Sequence, residues 1–368
     1  MHRLAFRSRQ LLPALLITVL VAITGLPGVQ AQDGAGNLPP THKIDVSRLR
    51  HEYQGWNNCG PTTMTMGLSY FGYSHDQYPA ANYMKPHRED KNVSPWEMVE
   101  YVNAVAANDN PVQALWRPGG NLTLIKTLLA ADFPVIVEKG YEPEGYDWMG
   151  HYLLLIGYND TEGYFYTYDS FSGHGNFQGL PEDYEPMSTY WWHFNNIFIV
   201  LYEPDREAEL QQLLGDHADL DQAFQIAATE AQQRLQSDDT DAWAWFNIGD
   251  ALTHLGRFEQ ATDYFRIAFE RGLPWRTLWY RHSPLEAFYQ TGDFDRVLEI
   301  IEANLRNTPY VEEWYYYRGL VYASRGDTSA ARNEFNQALI HNTRYQAAED
   351  ALNALENSTF QSVQEQTN

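Results

Sequence analysis

The chain has one cysteine, in the stretch Gln54-Gly55-Trp56-Asn57-Asn58-Cys59-Gly60-Pro61-Thr62-Thr63. A thiol there stands where a polar, loop-like segment meets a predicted helix over 62–71. Such a junction offers unpaired backbone N–H groups and the positive end of a helix dipole, both of which favour a thiolate. A nucleophilic thiol also needs a base and a group that orients the base. His151 opens a predicted strand over 151–158. Asp169 directly follows a second predicted strand over 164–168, with the turn Asn159-Asp160-Thr161-Glu162-Gly163 between them. Paired antiparallel strands bring the start of one beside the end of the next, so carboxylate and imidazole become neighbours. Gln54, five residues before Cys59, has an amide that, with the Cys59 backbone N–H, would form a two-donor oxyanion hole. Each residue also has a plain reading: Cys59 as an inert buried thiol, His151 as a histidine satisfied by Asp169, and Gln54 as a surface amide.

The elements that must position these groups follow from pattern. Pro61 suits a first helical turn, so the helix begins near Gly60 or Pro61, and Gly72 ends it. Residues 74–90 carry Pro79 and Pro86 and read as loop or short turns. Ser94-Pro95-Trp96-Glu97 is a helix start, with a serine cap, proline at the first position and glutamate three residues on. A helix follows at 122–131. Pro134-Val135-Ile136-Val137 is a short apolar strand, leading into an acidic, glycine-containing loop over 138–150 in which Glu138 and Asp147 line a cleft. Trp191-Trp192-His193-Phe194 begins a last element, with a strand at 196–202. Helices followed by strands make this an α+β unit. A strand is expected at 44–46.

Composition changes at Glu203-Pro204-Asp205, after which the helical period takes over. Trp245, Ile248, Gly249, Leu252, Ala261, Phe265 and Ala268 fall at the offsets of the tetratricopeptide pattern of about 34 residues. Tyr315, Gly319, Tyr322, Gly326, Ala331, Phe335 and Ala338 repeat them, with a weaker copy over 279–303. Gly256, Gly292 and Gly326 lie 36 and 34 residues apart. The small residues allow close helix pairing, and aromatics such as Trp245 and Phe265 fill the seam.

Gln54, Trp56-Asn57-Asn58-Cys59-Gly60-Pro61, His151 and the Tyr168-Asp169 step together resemble the bacteriocin-processing (double-glycine leader) cysteine peptidase family, a papain-like group, in its peptidase-like branch. The resemblance covers roughly residues 45–203. It implies thiol-dependent cleavage of a peptide bond: Cys59 attacks, His151 takes and returns the proton, Asp169 orients the ring and Gln54 helps hold the oxyanion. Well-known members are fused to exporter transmembrane and ATPase domains. This chain has helical repeats instead, so their leader-peptide substrate is not carried over.

The first residues complete the division. Arg3, Arg7 and Arg9 precede an apolar stretch over 11–26, and Val29-Gln30-Ala31 offers a small-residue cleavage site. This reads as a secretory signal peptide, with retention as a membrane anchor the alternative. Cleavage leaves no stable membrane span and places the protein outside the cytoplasm, secreted, at the cell surface or in a periplasm. The expected organisation is a signal peptide at 1–31, a linker at 32–44, a papain-like α+β domain at 45–203, an all-α tetratricopeptide-type domain at 204–356 and a disordered tail at 357–368. The formal net charge of -23 argues against a nucleic-acid partner, which needs a basic footprint. No histidine or carboxylate spacing suggests a metal site, and no cofactor is expected. The expected function is an exported cysteine peptidase-like hydrolase acting on a peptide or protein, with the repeats holding substrate or a protein partner. A non-catalytic peptide- or protein-binding module on the same fold is the alternative. A related amide hydrolysis, of cell-wall peptide or an isopeptide, would use the same residues.

Overall fold

The computed structural model describes residues 38–89 and 92–363. The proposed signal peptide and most of the proposed linker lie outside the described residues. The first domain is built on an antiparallel sheet. Its elements are β1 (Thr41–Lys43), α1 (Cys59–Ser69), α2 (Gln77–Met84), α3 (Pro95–Ala104), β2 (Gln113–Arg117), α4 (Leu122–Ala130), β3 (Val135–Tyr141), β4 (Met149–Asn159), β5 (Tyr164–Tyr168), β6 (Leu180–Asp183), α5 (Tyr184–Trp192) and β7 (Phe198–Tyr202). The strand order is β2-β7-β3-β4-β5-β6, and β1 pairs with β4. The expected mixed α+β character is present.

β3, β4 and β7 are buried along almost their whole length, which is why they read as apolar runs rather than alternating patterns. α1 lies on this sheet and is buried from Gly60 to Ser69. Its approach depends on Gly67, where an added Cβ would stand 2.5 Å from Leu201 Cδ1. α3 begins as expected, with the Ser94–Glu97 capping box in place.

Several local expectations change. The first strand is Thr41–Lys43 rather than 44–46, so part of the expected linker belongs to the sheet. The stretch 74–90 contains α2, because Asp76 caps the helix and Pro79 falls in the first turn, where a missing N–H costs no intrahelical bond. Residues 138–141 are strand rather than loop, so β3 and β4 form a long hairpin with Lys139 opposite His151.

The second half is helical: α6 (Glu207–Leu214), α7 (Leu220–Ser237), α8 (Ala242–His254), α9 (Phe258–Arg271), α10 (Ser283–Gln290), α11 (Phe294–Leu305), α12 (Glu312–Ser324), α13 (Thr328–His341) and α14 (Gln346–Glu356). The expected boundary at 203/204 cuts slightly early, since Leu210 and Leu214 of α6 belong to the core of the first domain. From α8 onward the helices pair in a repeat-like manner. Gly249 lets α8 meet Phe265 of α9, and Gly319 lets α12 meet Phe335 of α13; a Cβ at either glycine would fall within 2.8 Å of the opposing ring. The seam residue of the first pair is Phe246, fully buried and edge-on to Phe265. Trp245, one position away, is only half-buried and leans on Tyr264. The expected disordered tail is ordered as far as 363, because Val363 finds a buried place in the helical core.

Candidate active site

Cys59 is the first residue of α1. The loop before it is held from behind by Gln77 of α2. The Gln77 Oε1 accepts from the Gly55 backbone N–H at 2.6 Å, from Asn58 Nδ2 at 2.9 Å and from Thr62 Oγ1 at 3.0 Å. Its Nε2 donates to Glu52 Oε1 at 2.7 Å and to the Tyr53 carbonyl at 2.9 Å. Gln77 is buried, so one amide fixes the path of the chain on both sides of Gln54. The helix is tied to the sheet by Thr63 Oγ1, which donates to the Tyr152 carbonyl at 3.2 Å.

His151 is the third residue of β4 and is buried. Its Nε2–H donates to Asp169 Oδ1 at 2.8 Å, leaving Nδ1 as the other ring nitrogen. Asp169 follows β5, as expected, and is also buried; its Oδ1 accepts in addition from the Phe171 backbone N–H at 2.7 Å. Burial opposes the charge on His151 most strongly. The hydrogen bond to Asp169, the influence of the Cys59 thiol and the Asp169 charge together outweigh it and raise the imidazole to about 9. Burial also opposes the Asp169 carboxylate, but the hydrogen bond and charge of His151 hold it well below the usual range. Tyr141 stacks on the His151 ring at 4.9 Å and fixes its plane.

Gln54 is docked on the same segment as Asp169. Its backbone N–H donates to the Ser170 carbonyl at 2.9 Å, and its Oε1 accepts from Ser170 Oγ at 2.8 Å. His51 Nε2–H donates to the Asp169 carbonyl at 2.9 Å. Gln54, Cys59 and His151 line one open cleft of about 360 Å³, while Asp169 lies behind His151 and outside it. Among the described residues no hydrogen bond of ordinary geometry joins Cys59 Sγ to His151. Thus His151 and Asp169 are paired, and Cys59 lines the same cleft as His151. Exposed aromatics crowd the rim: Trp56, Tyr146 and Phe171 are 66%, 67% and 54% exposed and all line the cleft.

Residues 42–191 match the family described as Peptidase_C39 like. The first domain is therefore a C39-like peptidase domain, and an α-helical, repeat-like domain follows it. No curated protein matches the sequence. A solved structure titled "Crystal structure of YrrB: a TPR protein with an unusual peptide-binding site" aligns at 15% identity with a TM-score of 0.20, over 39% of this chain and 87% of that chain.

Sequence reasoning missed Gln77, His51 and Ser170 in the C39-like domain. Their partners are backbone groups and side chains brought together by folding, and a polar residue in a proline-bearing stretch gives no sign of this. It also missed Tyr280, which enters the cleft from the helical domain. Glu138, expected in a cleft-lining loop, lies buried on β3 and faces a separate chamber. Among the described residues no group of three or more His, Cys, Asp or Glu is placed to hold a metal ion. No helix among them is long and apolar enough to cross a membrane.

Proposed function

We propose that the chain binds a peptide along the cleft over Cys59 and hydrolyses an amide bond of it through Cys59, His151 and Asp169. The observation that carries this reading is the buried His151–Asp169 pair beside a thiol at a helix N-terminus, in a cleft rimmed by exposed aromatics. In the reaction Cys59 Sγ attacks the carbonyl carbon and breaks its C–N bond. His151 returns a proton to the departing amine, and water then releases the acyl group from sulfur. Asp169 keeps Nε2 occupied, so the other ring nitrogen serves the reacting groups. Backbone N–H groups at the start of α1, with the Gln54 amide, are the candidate oxyanion donors. Catalytic hydrogen bonds are often completed only when substrate arrives. The helical domain contributes Tyr280 to the cleft and is read as a tetratricopeptide-type array. The arginine-led, apolar N-terminal stretch supports an extracytoplasmic location.

The missing Cys59–His151 hydrogen bond specifically favours a second reading, a peptide- or protein-binding module that performs no chemistry. Iodoacetamide alkylation of Cys59 across pH separates the two. A reactive site alkylates rapidly near pH 6 and loses this in His151→Ala, because a thiolate–imidazolium pair needs both partners. A rate that rises only near the free-thiol range of about 8.5 in both proteins leaves the binding module. For any peptide found to be cleaved, Cys59→Ala is expected to abolish turnover with the fold unchanged by circular dichroism, and residual cleavage would sink the hydrolase assignment.

A further inference from the structure

Tyr280 reaches the cleft over Cys59 from the helical domain, where it stands just before α10. Its place there follows from the pleat of β4. An added Cβ on Gly60 would meet Tyr152 Cδ2 at 3.5 Å, and one on Gly67 would meet Leu154 Cδ1 at 3.5 Å, so Tyr152 and Leu154 face α1. Side chains alternate along a strand, so Gly150 is the next place on that same face. Tyr280 fills it: a Cβ on Gly150 would stand 3.0 Å from Tyr280 Cδ1 and 3.1 Å from its Cε1. The phenol thus lies on the sheet just ahead of the first turn of α1, which Cys59 opens. Trp148 and Phe194 hold the ring edge-on, with centroids at 5.8 and 6.0 Å.

The hydroxyl suits the charge that an attack by Cys59 would develop. Neither lysine nor arginine lines the cleft, so an oxyanion formed in it is met by neutral donors. Three side chains of the lining carry a hydroxyl. Tyr146 is largely exposed at the rim, and Tyr141 is stacked on His151. Tyr280 is half-buried, and among the described residues its hydroxyl donates to no acceptor, which leaves its proton available to a ligand. Burial, and after it the Cys59 thiolate nearby, raise the phenol above its ordinary value against a smaller opposing effect of the Gly150 backbone. It therefore keeps that proton wherever the thiolate is reactive.

We propose that the Tyr280 hydroxyl is a further oxyanion donor, brought to Cys59 by the helical domain, which rests on the hydrolase reading above. When Sγ bonds to the carbonyl carbon, the π-electron pair of the C=O bond moves to oxygen. That oxygen accepts from Tyr280, with the backbone N–H groups at the start of α1 and the Gln54 amide as its other partners. On collapse the pair re-forms C=O, the bond to the leaving group breaks, and Tyr280 has held its proton throughout. The C39-like domain by itself lacks this donor, so the helical domain has a place in the chemistry beside any part in holding a partner.

The test uses the full chain and two reagents that need no knowledge of the natural substrate. p-Nitrophenyl acetate acylates a reactive thiol through an oxyanion and releases p-nitrophenolate, read as a burst that Cys59→Ala abolishes. Iodoacetamide alkylates the same thiol by displacement at a saturated carbon, where no oxyanion forms. Tyr280→Phe keeps the ring and removes the hydroxyl. It should slow the burst at least tenfold, since losing one such donor costs about 10²–10³ in rate with a well-fitted substrate. The rate of iodoacetamide alkylation across pH should stay at the wild-type value. If Tyr280→Phe disturbs the circular dichroism spectrum, Tyr280→Leu carries the same expectation. A burst in Tyr280→Phe as fast as in the wild type overturns the assignment and leaves the hydrolase reading standing. Equal slowing with both reagents also overturns it, because a displaced thiol rather than a lost donor is then the cause. A wild type that iodoacetamide modifies and p-nitrophenyl acetate does not overturns the hydrolase reading as well.

Discussion

His151 is pulled in two directions, by burial toward the neutral ring and by Asp169 and the Cys59 thiol toward the cation, and the cation prevails up to about pH 9. The linkage sign follows. The folded value lies above the unfolded value of about 6.5, so the pair's stabilisation is fully present below pH 6.5 and is lost as pH rises toward 9. A shift of this size corresponds to something on the order of 3 kcal/mol. Urea unfolding at pH 6 and pH 9.5 should therefore show a loss in the wild type that His151→Gln does not share, and parallel profiles would refute the pairing. At the acid end the sign reverses. The depressed Asp169 carboxylate contributes above its unfolded range near 3.9 and its contribution is lost as pH falls through the folded value. Asp169→Asn leaves His151 without its charged partner in a buried place and should cost about 3–5 kcal/mol. At this scale the sequence was informative about residues with few chemical roles. A lone cysteine, a histidine at a strand start and an aspartate at a strand end are constrained by type and spacing. Gln77 was invisible because an amide is defined by its partners, and those lie fifteen or more residues away in the chain, on the loop before Cys59 and in the first turn of α1.

Elements became legible in proportion to how much of their pattern is local. The long helices, the Ser94 capping box and the β4–β5 hairpin carry their own signals and were found. α2 was hidden by Pro79, a breaker in a helix interior that is harmless in a first turn. β2 and β6 are short edge-side strands whose identity depends on β7 and β5 being there to pair with. The seam in the helical domain was misplaced by one residue because Trp245 and Phe246 are adjacent aromatics, and only packing against Phe265 distinguishes them. The glycines were read correctly for a physical reason that can be tested. Gly319→Ala places a methyl within 2.5 Å of the Phe335 ring, and overpacking of this kind costs about 1–3 kcal/mol. The expected result is a lower unfolding midpoint with unchanged denaturant slope; an unshifted midpoint would show that α12 and α13 can part without penalty. Gln77→Leu makes the complementary test for the C39-like domain. It strands the Gly55 N–H and the Glu52 carboxylate, should destabilise by about 2–4 kcal/mol, and should expose residues 53–58 to limited proteolysis while the helical domain stays resistant.

At the scale of the whole molecule the division into two domains, drawn from a change of composition, understates how far they are merged. Trp148 of the C39-like domain stacks on Phe194 at 5.7 Å and lies against Trp243 of α8 at 5.3 Å, and His193 stacks on the same indole at 4.5 Å. Burial in this aromatic packing, with Arg234 and Arg281 nearby, lowers His193 to about 3, so it stays neutral and accepts from Trp148 Nε1. Arg281 closes the join. Buried, it binds Asp250 in its own domain and donates to the His193 carbonyl of the other at 2.8 Å, while Asn195 Nδ2 donates to Asp250 at 3.1 Å. None of this was legible beforehand, because an interface has no period and its residues come from five separate stretches of chain. It has a thermodynamic consequence. With aromatic cores interlocked and the buried Arg281–Asp250 pair hydrogen-bonded to His193 and Asn195 of the other domain, neither domain can unfold without stranding polar groups of the other. Calorimetry should therefore give one transition whose van't Hoff and calorimetric enthalpies agree, rather than the two expected of domains joined by a linker. Arg281→Met should cost about 3–5 kcal/mol by leaving Asp250 charged and unpaired, and adding Asp250→Asn should restore part of that loss. If instead the wild type melts in two steps and Arg281→Met moves only the helical one, the domains are independent. Tyr280 could then not hold its place in the cleft, since that position depends on a rigid join.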